Sequence, residues 1–196
     1  MEGTNPVNKK LAAALSGGAV LVLALSGCGG DDSSDKLNSW AKQVCDAVQP
    51  QAKKIEAANA SIQKQTSDNS TPEDVQKTDS QAFQDMSDAY KAMGSAVKTA
   101  GAPDVEGGEK KQTDAVTELS DISSSYADLK KQIDGLDTKD QGKFADGLKD
   151  IATELDKLSQ SGNDALSKLE EGEVRKAMAK QESCKSASPG PSVTNG

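Results

Sequence analysis

Apolar residues recur along this chain at the spacing of helix faces, and four stretches carry the pattern. The first runs from Leu37 to Thr66, with Leu37, Ala41, Val44, Val48, Ala52, Ile55 and Ile62 on one stripe. Pro50 lies inside it, removing one backbone hydrogen bond and crowding the carbonyl four residues back, so a kink or break is expected there. The second opens with Thr71-Pro72, a good N-cap and a residue suited to the first helical position. Its seam is Val75, Ala82, Met86, Ala89, Met93, Ala96 and Ala100, with Phe83, Tyr90 and Val97 beside it, and Gly101 and Pro103 end it.

The third stretch carries Ala115, Leu119, Ile122, Tyr126, Leu129, Ile133 and Leu136. After the first step the intervals alternate three and four, a coiled-coil heptad that implies a left-handed supercoil. It starts either near Asp104 or after Gly107-Gly108, and Gly135 with Asp137-Thr138 makes the next turn. The fourth stretch shows Phe144, Leu148, Ile151, Leu155, Leu158, Ala165 and Leu169, provided Gly162 takes a core position. The register then slips by five to Val174, with Gly172 between, which predicts a bend or a short fifth segment in "VRKAMAKQESC". Four amphipathic helices with short connections pack most simply as an elongated, all-α, up-down-up-down four-helix bundle over residues 37–185.

The flanks read differently. Lys9 and Lys10 form a short positive region, Leu11 to Leu25 an apolar one, and Ser26-Gly27 the small residues that a signal peptidase requires. The apolar run is too short for a membrane span, which needs about 20 residues, and Ser16-Gly17-Gly18 dilutes it. Leu25-Ser26-Gly27-Cys28 resembles a bacterial lipobox, in which a diacylglyceryl group joins the cysteine sulfur before cleavage just ahead of it. Residues 1–27 are therefore expected to be a lipoprotein signal peptide, an ordinary signal peptide with an incidental cysteine being the alternative. Because Glu2 weakens the positive region, "VNKKLAAAL" from Val7 reads as a complete signal, and translation is expected to start at Val7 rather than Met1. Residues 28–36, "CGGDDSSDK", are expected to form a flexible tether, and "SASPGPSVTNG" at 186–196 a disordered tail.

Composition narrows the function. The chain has 23 basic and 31 acidic residues, a net charge of −8, and loss of residues 1–27 makes it more negative by one. Such a body repels nucleic acid and anionic headgroups, so attachment to a membrane falls to the lipid. Only 34% of residues are hydrophobic and 3% aromatic, values compatible with disorder, but the helical spacing argues for a folded domain. In an up-down-up-down bundle the start of the first helix and the end of the fourth share one end, near Cys45 and Cys184. Both cysteines would be exported, so a Cys45–Cys184 disulfide is expected over two free thiols.

The sequence contains no histidine, which excludes Ser-His-Asp and Cys-His catalysis and His-ligated metal or haem sites. "DGLDTKDQG" fails the calcium-loop pattern, because Lys139 falls at its third position, and Gly107-Gly108 lacks the Lys-Ser/Thr of a phosphate loop. Carboxylate-pair or Ser-Lys hydrolysis has no motif behind it. No catalytic residue, metal site or cofactor is expected beyond the covalent lipid on Cys28. Trp40 is either an exposed anchor for a partner or, the preferred reading, a cap on the core beside Cys45. Met86 and Met93 fall at heptad spacing and read as core, as do Tyr90 and Tyr126.

The lipobox, the Gly/Asp/Ser segment, the early cysteine in "WAKQVCDAVQP" and the late Cys184 together resemble the small secreted lipoproteins of actinobacteria. That resemblance implies export and anchoring, and offers no substrate. The expectation is a non-catalytic, extracytoplasmic module at the cell membrane that binds, spaces or assists another envelope protein. The alternatives are a small-molecule or lipid carrier serving a transporter, and an envelope hydrolase.

Overall fold

The computed structural model describes residues 29–65, 70–161 and 164–185. Within them the chain forms seven helices and no strand: α1 (Gly29–Gln65), α2 (Pro72–Ala100), α3 (Gly108–Asp134), α4 (Gln141–Ser161), α5 (Asp164–Leu169), α6 (Gly172–Ala179) and α7 (Glu182–Lys185). All-α architecture thus follows from the helical spacing of the apolar residues.

α1 begins at Gly29, not at Leu37, so the expected tether is helical over 29–36. Residues 32–36 are exposed and supply no core contact. The helix also runs unbroken through Pro50, which excludes the expected break. Pro50 is exposed, so the carbonyl that loses its donor can turn to water.

The start of α2 follows its sequence. Thr71 has extended backbone, and its hydroxyl oxygen accepts from the Asp74 amide at 3.2 Å, with Pro72 next in the chain. Gly101, at φ 78°, ends the helix in a conformation that suits glycine. α3 starts at Gly108, after Gly107 at φ 69°, which settles the two starts left open above. A Cβ on Gly108 would lie 2.1 Å from the carbonyl oxygen of Pro103, so the α2–α3 connection folds against backbone that only glycine permits. Asp137 and Asp140 serve the α3–α4 turn. The Asp140 carboxylate accepts from the Lys143 amide at 3.1 Å, a bond that holds its pKa below the usual range.

The fourth expected helix is described as α4 to Ser161 and α5 from Asp164 to Leu169, and α6 and α7 follow it as separate pieces. Gly162, expected at a core position, lies outside the described residues. Gly172 at φ 60° resets the direction where the register slips, and Val174 behind it is buried.

One apolar cluster joins Leu37, Trp40, Ala41, Val44, Ala52, Ile55 and Ala58 of α1 to buried residues of α2 to α6. The fully buried anchors include Phe83, Met86, Leu129, Ile133 and Val174. α2 packs against both α1 and α3, α3 also meets α4 and α5, and α1 meets α6 and α7. Polar bonds join the start of one helix to the end of another. Gln76 Nε2 donates to Ile133 O at 2.8 Å, and Gln112 Nε2 to Val97 O at 3.1 Å.

Candidate functional site

Leu25, Ser26, Gly27 and Cys28, the residues expected to direct lipidation, lie outside the described residues, as do the expected signal peptide and the 186–196 tail. What the structure does bring together is the end of the molecule that α1 enters. Cys45 and Cys184, separated by 139 residues, form a disulfide with their Cα atoms 5.0 Å apart. Cys45 is 0% exposed on the inner face of α1, and Cys184 is half-buried on α7. Around them, Ser183 Oγ donates to Asp46, and Gln181 Nε2 donates to Asn38 O at 3.4 Å. Lys42 and then Ser183 keep the Asp46 carboxyl below its ordinary pKa.

Trp40 is 6% exposed, and its Nε1 donates to Gly101 O at 2.8 Å. It closes the core at this end, which excludes the exposed-anchor reading. Beside it, a groove of about 1020 Å3 opens between the first turns of α1 and the α2–α3 connection. Asp32, Asp35, Asp104 and Glu109 line it together with Lys36, so its charge is unsuited to a polyanion. A smaller groove, about 470 Å3, runs along α2 and α3 over Ser87, Gly94, Ser120 and Ser123, with Lys91 and Lys98 at its side. Beneath it Ser87 Oγ donates to Ser123 O and Ser123 Oγ to Ser87 O, both at 2.8 Å. These exchanged bonds let the two helices approach closely, because each hydroxyl satisfies itself on the facing backbone.

Asp79 is the unexpected core residue. It is 8% exposed and has no hydrogen bond or ion pair among the described residues, and burial raises its pKa to about 6. The sequence reading missed it, although the one available signal is a gap: the apolar seam of α2 steps from Val75 to Ala82, and Asp79 fills the skipped heptad position. Tyr90 and Tyr126 stack with ring centroids 5.6 Å apart and planes 7° from parallel. Burial, with Tyr90 adding to it, pushes the Tyr126 phenol up to about 12, so neither ring serves as a base at neutral pH.

Among the described residues no group of three or more acids and cysteines is gathered to hold a metal ion, and no helix is long and apolar enough to cross a membrane. No family model matches the chain, and neither a curated protein nor a solved structure matches it.

Proposed function

We propose that this protein is a non-catalytic helical module, held at the extracytoplasmic face of the cell membrane by acyl chains on Cys28. There it acts as a binding, spacer or accessory subunit for another envelope protein. The observation that carries the reading is Leu25-Ser26-Gly27-Cys28 at the end of the apolar run, followed at once by α1 from Gly29. Two acyl chains give stable anchoring, at about 0.8 kcal/mol per buried methylene, where one chain gives only marginal binding. The net charge of −8 offers no attraction of its own to anionic lipid.

The absence of histidine from the sequence and the resemblance to small actinobacterial lipoproteins support a role in contact rather than turnover. We assign the helices an up-down-up-down order in which α4 to α7 together form the fourth leg and α1 bends at Pro50. Supporting this order, Trp40 near the start of α1 bonds Gly101 after α2, Gln76 near the start of α2 bonds the end of α3, and Lys111 near the start of α3 bonds Lys168 O in α5. At about 1.5 Å per residue, the 37 residues of α1 make roughly 55 Å of helix, an upper bound on its reach from the anchor when it bends at Pro50. Such a rod carries its α1–α2 and α3–α4 connections well clear of the headgroups.

The test is Cys28→Ala in the producing cell, followed by fractionation. The native protein is expected in the membrane fraction and the variant in the medium; equal membrane association of the two sinks the reading. Native mass spectrometry of the purified protein separates the module from the carrier, since a retained small molecule speaks for carriage.

A further inference from the structure

The two sulfurs of the disulfide sit in unequal surroundings, and the segment that ends at Cys184 buries few side chains of its own. α7 buries none of its residues, and α6 buries only Val174 and Ala177. The segment is bounded on its other side by Gly172, whose left-handed backbone at φ 60° meets no neighbour within 4 Å of a would-be Cβ. An eight-residue helix and a four-residue helix are each too short to persist alone. By contrast, α2 and α3 bury a series of residues from Ala82 to Val97 and from Ala115 to Ile133, linked through Ser87 and Ser123, and neither helix carries a cysteine of the bridge.

We propose that α6 and α7 form a thiol-sensitive clasp: reduction of Cys45–Cys184 releases residues 172–185 about Gly172 and uncovers the apolar stripe Leu37, Ala41, Val44 and Cys45 of α1, while α2 and α3 stay folded. The reductant is a dithiol. One of its thiolates attacks the half-buried Cys184 sulfur, because Cys45 is enclosed, and Cys45 leaves as a thiolate and takes a proton. The second thiol of the reductant resolves the mixed disulfide, so the reductant is oxidised by two electrons and both cysteines end as thiols. Release is local because bridge and clasp share one segment, whereas the rest of the core is held by burial that reduction does not touch.

Hydrogen exchange of the full mature chain, oxidised and in excess dithiothreitol, tests this by mass spectrometry. Exchange over 172–185 is expected to quicken by about tenfold or more, with less than about twofold change over 82–97 and 115–133. The C45S/C184S double variant is expected to reproduce the reduced pattern without reductant, which separates loss of the bridge from an effect of the reagent. Unaltered exchange at 172–185, or lost protection throughout α2 and α3, overturns the clasp. Either result leaves the membrane anchoring untouched, because Cys28 is read out separately.

Discussion

Trp40 and Gly101 lie 61 residues apart in sequence, and the indole Nε1–H of the first donates to the carbonyl of the second at 2.8 Å. The bond ties the early part of α1 to the residue that ends α2. It also satisfies the one polar atom of a ring that is otherwise buried in apolar surroundings. Trp40→Phe keeps an aromatic ring but removes the donor and leaves Gly101 O without that partner. Stability is expected to fall by about 1–3 kcal/mol, read from urea unfolding followed by far-ultraviolet circular dichroism. An unchanged midpoint would show that the contact contributes nothing.

The carboxyl of Asp79 should make itself felt as a pH dependence. With its pKa raised to about 6 in the folded chain, against roughly 3.9 when unfolded, the native state binds a proton that the unfolded state has already released. Its destabilising effect is therefore present in full above about 6 and is relieved as pH falls from 6 towards 4. The gap corresponds to about 3 kcal/mol. Asp79→Asn should raise stability at pH 7 by about 1–3 kcal/mol and flatten the difference between pH 6 and pH 4. Asp46, Asp134 and Asp140, whose pKa values are lowered, act in the opposite sense in acid, so the measurement is the difference between variant and parent.

Two glycines near helix starts should respond oppositely to alanine. At Gly108 the added methyl meets Pro103 O at 2.1 Å, backbone that cannot step aside without moving the α2–α3 connection, and a loss of about 2 kcal/mol or more is expected. At Gly142, in the first turn of α4, the nearest atom is Asp140 Oδ1 at 3.5 Å, so the helix preference of alanine should dominate with a gain of up to about 1 kcal/mol. Thermal melts of the two variants decide the matter, and a gain at Gly108 would contradict the close approach.

The paired hydroxyls of Ser87 and Ser123 give a coupling test. Either serine changed to alanine should cost about 1 kcal/mol, and valine at position 87 more than that, because its branched side chain must part α2 from α3. A double-mutant cycle on the two alanines is expected to show non-additivity, since the hydroxyls also lie 3.3 Å from each other.

Helices α2 and α3 were legible in the sequence because their seams are long, regular and bounded by Thr71, Gly101, Gly107 and Gly135. Met86, Met93, Leu119 and Leu129 are buried where that spacing puts them. The first turns of α1 were not legible. "GGDDSSD" has no apolar period and weak helix formers, and its helicity depends on the strong helix that follows. The separation of α6 from α5 was legible from Gly172 and the slip to Val174, whereas the further break before α7 was not. Asp79 was hidden because an apolar stripe is searched for apolar residues, and a missing step reads as silence. The Cys45–Cys184 pairing was expected because both residues would reach one end of an up-down bundle and would be exported to where thiols oxidise, and the structure forms it. The burial of Trp40 against a glycine carbonyl depends on tertiary packing that no local pattern records.

The bridge also decides how the molecule would bear a mechanical load. A pull between a tether at the head of α1 and the end of α7 travels up α1 to Cys45, crosses one sulfur–sulfur bond and leaves through Cys184. The 139-residue span between the two cysteines is bypassed as a closed ring, so α2, α3 and α4 stay slack while the covalent link takes the strain.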